Sequence, residues 1–283
     1  MIRSILLPIA DLPLATSARD TAFWLARKDG CRIHALALID VKAFEIPIMG
    51  TPDGFMPSVV TPPIQESQTL LDDMTAMAKE RLEQFVRECG AQGIPCSTDI
   101  KTGIPGEIIA RQAVAHDIVV LSRSGYSHGA QAEGRVDPLV PHAIRGSIRP
   151  VLVSGQRFNG EVRNVLVAFD GSVHAARALT VAAELGARPG VQCTVATIAS
   201  SEELGSELLA PAEAYLYHHG LTPKKQVVIG NKPSELICGL VESARADILV
   251  MGAYGHSPIR EMLFGSTTER VLSHCGCTVI LQS

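Results

Sequence analysis

The residues best suited to chemistry in this 283-residue chain lie near its carboxyl end, in the run Gly252-Ala-Tyr-Gly255-His-Ser-Pro-Ile-Arg-Glu-Met-Leu-Phe-Gly265-Ser266-Thr267. Glycine has no Cβ, so its backbone reaches positive φ and lets a ligand come close to the main-chain amides. Ser266 stands where a helical pattern begins. The first N–H groups of a helix have no intrahelical acceptor, so an anion placed there meets free donors and the positive end of the helix dipole. The chemistry implied is phosphate binding. The run contains neither the Gly-Lys-Ser/Thr of a Walker loop nor the GxGxxG of a dinucleotide fold. A second reading needs no ligand: Ser266-Thr-Thr-Glu269 also spells a capping box, in which the serine serves the N3 amide and Glu269 reaches back. His256, Arg260 and Thr267 are near enough in sequence to touch a phosphate, although Arg260 suits a solvated surface equally well.

Two other constellations carry reactive side chains. His274-Cys-Gly-Cys277 offers soft metal ligands, but a single short stretch cannot complete a four-coordinate site, and a structural role is expected. Tyr215-Leu-Tyr-His-His219 falls at a helix–loop junction where exposed histidines are ordinary. The seven cysteines are scattered without a CxxC pair, which reads as buried thiols in a reducing compartment.

The elements that must position these residues come from a repeated pattern. Arg3-Ser-Ile-Leu-Leu-Pro-Ile matches Arg163-Asn-Val-Leu-Val-Ala-Phe, and Pro105 to Gly125 parallels Pro233 to Gly255, each with a helical stretch, an aspartate and four apolar residues. Each half closes on an apolar strand, PVLVS at 150–154 and TVILQS at 278–283. In the second half, strands are expected at 164–169, 193–199, 225–230, 247–251 and 278–282, with helices starting near Ser172, Ser201, Ser234 and Ser266. Alternating strands and helices with continuous apolar strands predict an α/β fold of two doubly wound, five-stranded parallel-sheet domains related as an internal repeat. The domains are placed at 1–155 and 161–283, divided at Gly155-Gln-Arg-Phe-Asn-Gly160. A Pro-rich segment, 41–66, interrupts the first domain before a long helical pattern from about Leu70 to Cys89.

Composition narrows the partners. Hydrophobic residues make up 46% and charged residues 19%, enough to bury a core in either half. A formal charge of -4 without cationic clusters disfavours nucleic acid. No apolar stretch approaches the roughly 20 residues of a membrane span, and MIRSILLPIADLP is too short in its apolar run for a signal peptide, so a cytoplasmic protein without a membrane partner is expected.

With the spacing G-x2-G-x9-G-[S/T], Gly252, Gly255, Gly265 and Ser266 resemble the ATP-binding signature of the universal stress protein family. Asp170-Gly-Ser after the first strand of the second half adds to the likeness, and the whole chain resembles a tandem of two such domains, with an adenine nucleotide alpha hydrolase-like fold. The resemblance implies ATP with magnesium as cofactor. By it, Asp170 faces the ribose hydroxyls or a magnesium ion, and adenine lies against Ala168, Phe169, Thr197 and Ile198. From the residues alone, Asp170 serves as well as a cap for the helix near Ser172. The resemblance further implies pairing of the closing strands as an internal pseudo-dimer; the chain is then a monomer, or a homodimer through 41–66, and an unidentified protein partner meets the nucleotide-bound state.

In the first half the signature decays. Ser122-Arg-Ser-Gly125 stands in place of Gly252-Ala-Tyr-Gly255, and Asp137-Pro138-Leu139 falls near Gly265-Ser266. Proline lacks the donor and the aspartate repels phosphate, so a degenerate site is expected. Two alternatives to a regulatory nucleotide binder remain open: a slow ATPase with His256 as the nominated base, and a ligand-free scaffold. A ligase of related fold would carry an SGGxDS-type loop, whereas Asp170-Gly-Ser-Val-His174 stands there.

Overall fold

The computed structural model describes residues 2–9, 16–40, 46–47, 59–60, 64–124, 126, 136–155, 158, 160–255 and 265–283. In the first half the elements run β1 (Ser4–Ile9), α1 (Thr16–Asp29), β2 (Arg32–Asp40), β3 (Ile46–Pro47), β4 (Val59–Val60), α2 (Ile64–Ala91), β5 (Cys96–Gly103), α3 (Pro105–Ala113), β6 (Ile118–Ser122), α4 (Leu139–Gly146) and β7 (Val151–Ser154). The second half adds β8 (Asn164–Ala168), α5 (Val173–Gly186), β9 (Gln192–Ala199), α6 (Glu202–His218), β10 (Lys224–Ile229), α7 (Pro233–Ser243), β11 (Ile248–Gly252), α8 (Ser266–His274) and β12 (Thr278–Gln282).

Ten strands form one sheet in the order β10-β9-β8-β11-β12-β7-β6-β1-β2-β5. All neighbours run parallel except β12 and β7, which pair antiparallel with Val279 opposite Val153, Ile280 opposite Leu152 and Leu281 opposite Val151. Both closing strands are apolar and buried along their length, and each covers the edge the other would expose. The outer edges fall on β5 and β10, which carry charge (Asp99, Lys101, Lys224, Lys225) in place of apolar surface.

Helices cover both faces. One continuous core joins α1, α2, α5 and α6 to the sheet, and a second joins α3, α4, α7 and α8. The central strands are apolar on both sides because both sides are covered. A buried-edge ion pair joins the halves: Arg188 meets Asp29, and its guanidinium lies 4.5 Å over the ring of Trp24.

An aspartate fixes the start of each half in the same way. Asp117 Oδ2 accepts the N–H of Arg3 and Ser4 at 2.9 and 3.0 Å, and Asp247 Oδ2 accepts those of Arg163 and Asn164 at 2.7 and 2.9 Å. This explains why each half carries an aspartate just before its fourth long strand.

The segment 41–66 departs from a plain loop. Within it Ile46 pairs with Val60 and Pro47 with Val59, and α2 begins at Ile64, ahead of the helical pattern from Leu70. The remainder of that segment, 41–45, 48–58 and 61–63, lies outside the described residues. Cysteines also depart from expectation: Cys31, Cys89, Cys193, Cys275 and Cys277 are buried free thiols, but Cys96 and Cys238 are partly exposed. No described helix is long and apolar enough to cross a membrane.

Candidate functional site

In the second half the chain leaves β8 toward β9 on one side and β11 toward β12 on the other, so the carboxyl ends of β8 and β11 diverge. Such a switch point is where ligands collect in an open α/β sheet. A cavity of about 380 Å³ opens there, within the range of small-molecule sites. Ala168, Phe169, Asp170, Ile198, Gly252, Gly255, Gly265, Ser266 and Thr267 all line it. The remaining candidate, His256, lies outside the described residues, as do Arg260 and, in the first half, Gly125 and Gly134.

Each wall has a local cause. At the end of β8, Asp170 Oδ1 accepts the N–H of Ser172 at 3.0 Å, while Gly171 takes the turn at φ 78°. The cap of α5 is Ser172, whose Oγ accepts the N–H of Ala175 at 3.1 Å. Asp170 therefore does not cap the helix, and its exposed carboxylate stands at the cavity rim. At the end of β9, Thr197 is buried at 3% exposure and its Oγ1 has no described partner. Met251 of β11 and Tyr254 just after it also line the cavity; burial pushes the Tyr254 phenol above its usual range, with Arg145 of α4 opposing.

Contrary to the expectation of positive φ, none of the three signature glycines adopts it; two of them serve space. A Cβ on Gly252 would stand 2.8 Å from Ala175 N and 2.9 Å from His174 Cβ, so this glycine lets α5 pack on β11. On Gly255 it would come within 3.2 Å of Asp170 Oδ2. Gly265 differs, because a Cβ there meets Ala253 O and Thr268 Oγ1 at an ordinary 3.5 Å and its φ is -60°. Among the described residues, no atom crowds a side chain at Gly265.

The capping box does not form. Gly265 is the N-cap of α8 and no side chain caps the helix. Ser266 occupies the first helical position, one too late for its hydroxyl to serve the N3 amide. Thr268 Oγ1 instead donates to Ala253 O at 2.8 Å, tying the first turn to the end of β11, and among the described residues the first helical N–H with an acceptor is that of Glu269, on Gly265 O at 2.9 Å. Ser266, Thr267 and Thr268, which form this first turn, all line the cavity. Among the described lining residues none is a lysine, arginine or histidine, and the positive end of the α8 dipole lies at the same cavity. Lys232 points to solvent, 70% exposed, beside Glu235 at 3.6 Å.

Residues that the sequence pattern does not single out complete the walls: Gly230, Asn231 and Pro233 after β10, Ile237 and Leu240 on α7, and Thr268. Their signal is positional, since each lies at a strand's carboxyl end or on the helix that follows. The cysteine stretch and Tyr215–His219 lie elsewhere; His274 Nδ1 bonds Arg270 O at 2.9 Å, and Tyr217 is 70% exposed.

The first half meets the same position differently. Asp137 is fully buried; its Oδ1 accepts the N–H of Leu139 at 2.9 Å and its Oδ2 that of Tyr126 at 3.0 Å. The N–H of Ser122 donates to the Tyr126 hydroxyl at 2.9 Å. A protein carboxylate thus occupies the start of α4.

Residues 161–281 match the model of the universal stress protein family. Along the whole chain, a universal stress protein of Synechocystis sp. is 25% identical over 291 residues, covering 99% of each chain. Among solved structures, a universal stress protein from Archaeoglobus fulgidus superposes with a TM-score of 0.76 at 20% identity, covering 99% of this chain and 96% of that one. A putative universal stress protein from Pseudomonas aeruginosa gives 0.64 at 17% identity, covering 99% and 93%. The structural likeness is one of fold, and it runs through both halves. The residues matched to the universal stress protein family are those of the half in which the start of α8 is open.

Proposed function

We propose that the cavity between β8 and β11 holds an adenine nucleotide, ATP with magnesium, and that the bound nucleotide governs how the protein meets a protein partner in the cytoplasm. The reading rests on one observation above the rest: α8 begins without a side-chain cap, facing a cavity, at a glycine around which the described residues leave room for a side chain. Main-chain N–H groups of Ser266, Thr267 and Thr268, with the Ser266 hydroxyl, suit the phosphates. The apolar end, Ala168, Phe169 and Ile198 with Thr197 beside them, suits the base. Asp170 fits the ribose hydroxyls or a magnesium ion, which takes one or two carboxylates alongside phosphate oxygens. Magnesium would supply charge neutralisation between phosphates that the described side chains do not provide.

In this reading 1–155 and 161–283 are two domains of one repeated fold. Each half of the sheet follows the order third-second-first-fourth-fifth strand, and the aspartates Asp117 and Asp247 repeat the same bonds. The first domain's site is degenerate, and the β7–β12 pairing makes the chain an internal pseudo-dimer. The test is to denature purified protein, identify nucleotide in the supernatant by mass spectrometry, and melt the protein with and without ATP and magnesium. Released adenine nucleotide, or a melting rise of roughly 5 °C or more at ATP a hundredfold above its dissociation constant, is expected. Neither release nor shift would leave the ligand-free scaffold as the function.

A further inference from the structure

Two thiols from different elements meet on the side of the second half away from the nucleotide cavity. Cys238 of α7 and Cys275, which caps the carboxyl end of α8, place their Sγ atoms 2.7 Å apart. A disulfide measures about 2.05 Å, so the sulfurs need close by only about 0.65 Å. The pair borders a second cavity, of about 490 Å³, lined also by Cys277, His274 and Glu242. It shares no lining residue with the first. A small oxidant has room to reach the sulfurs.

Their electrostatic setting has a fixed cation. Arg123, just after β6 of the first half, donates to Leu272 O and Cys277 O, both at 2.6 Å. Its positive charge favours nearby thiolates. Burial works the other way, holding the Cys275 thiol well above the ordinary range and Cys277 up to about 11, with Arg123 opposing in both. Cys238 is partly exposed while Cys275 is 3% exposed, so Cys238 is the thiol that meets an oxidant first. Among the described residues no group of three or more His, Cys, Asp or Glu is placed to hold a metal ion.

We propose that Cys238 and Cys275 are a modification site, forming a reversible disulfide when the protein meets a hydroperoxide. The Cys238 thiolate attacks one peroxide oxygen and the O–O bond breaks. The departing hydroxide takes up the thiol's proton as water, leaving Cys238 as the sulfenic acid. Cys275 sulfur then attacks Cys238 sulfur, the S–O bond breaks, and the oxygen leaves with the Cys275 proton as a second water. Two thiols lose two hydrogens and hydrogen peroxide becomes two waters. A small thiol reverses the bond by exchange. The product ties α7, which lines the nucleotide cavity through Ile237 and Leu240, to the far end of the helix whose start forms the proposed phosphate cradle. This site stands whether or not a nucleotide binds.

The experiment treats the reduced full chain with hydrogen peroxide, blocks remaining thiols with N-ethylmaleimide, digests without reductant and reads the peptides by mass spectrometry. A linked Cys238–Cys275 peptide is expected, two hydrogens lighter than the separate peptides, lost on adding dithiothreitol, absent from Cys238→Ala and retained in Cys277→Ala. The oxidised chain should melt roughly 5 °C or more above the reduced one, since the bond closes a 37-residue separation. Linkage of Cys275 to Cys277, or Cys238 recovered as a maleimide adduct or sulfinic acid with Cys275 free, would overturn the proposal. The wild-type digest alone decides it, so a variant that fails to fold does not blur the result.

Discussion

Replacing Gly265 by aspartate separates binding from stability. The glycine has φ -60° and ψ 131°, and a Cβ there meets Ala253 O and Thr268 Oγ1 at 3.5 Å, so among the described residues a side chain fits without displacing the backbone. Aspartate is a better N-cap than glycine by a few tenths of a kcal/mol, so the variant should melt at or above the wild type. Its carboxylate would take an N–H of Thr267 or Thr268, removing a charge-assisted bond to phosphate worth about 1.5–3 kcal/mol. It would also stand on the order of 4 Å from the phosphate, where like charges near a protein surface repel by about 4 kcal/mol. Halving that repulsion for salt leaves a combined loss of at least about 3.5 kcal/mol, or roughly 300-fold in affinity. Calorimetric titration with ATP and magnesium, paired with thermal melts of the free protein, measures both quantities. A folded variant that binds within tenfold of wild type would refute the placement of phosphate at α8. Gly252→Ala should give the opposite pattern, because its Cβ would stand 2.8 Å from Ala175 N and 3.0 Å from His174 C. Moving the α5 backbone costs about 1–3 kcal/mol, read as a lower denaturant midpoint.

Three further outcomes can be checked. Thr197→Val removes a buried hydroxyl without a described partner, so the nucleotide-free protein should gain about 1 kcal/mol by urea unfolding; a loss of stability would show that the hydroxyl is satisfied. His34 and His116 stack with ring centroids 5.2 Å apart, and burial lowers both below the usual histidine value, Asp99 opposing at His34 and Asp117 at His116. The unfolded chain therefore binds more protons below about pH 6.5, so stability present above that pH should fall as pH drops through it, and His116→Asn should flatten the fall; an unchanged slope would remove the histidines as its cause. Asp29→Asn strands the Arg188 guanidinium, whose side chain is 14% exposed, and should cost about 2–3 kcal/mol in urea unfolding, between surface and buried pairs; a cost under about 0.5 kcal/mol would mean the pair does not hold the halves together.

Much of the scaffold was legible because apolar runs bounded by polar turns fix where strands can lie. The second-half strands expected at 164–169, 193–199, 225–230, 247–251 and 278–282 fall within a residue of β8 to β12 at each end. Helix starts followed from serine caps, as at Ser172 and Ser201, whose hydroxyls accept from the third residue on. What escaped the sequence depends on contacts between distant segments. Gly252 needs α5 beside it before its lack of a side chain has a cause. Cys238 and Cys275 are 37 residues apart and share no spacing motif. The short β3–β4 ribbon, two residues on each side, lies within a Pro-rich segment with no alternation to reveal it.

The same physics explains why one sheet carries an open helix start and a closed one. Both α4 and α8 begin with donors that lack an intrahelical acceptor, and each half must satisfy them. In the first half Asp137 does so from within, fully buried and bonded to the N–H of Leu139 and Tyr126, while Tyr126 serves Ser122. A ligand phosphate would have to displace a carboxylate that is part of the chain and therefore always present. In the second half no side chain caps α8, and Gly265 keeps the approach clear. Under the proposed reading, nucleotide concentration can then act on the second half alone. Under the same reading the first half, joined through β7 and β12, contributes a site that its own carboxylate keeps closed.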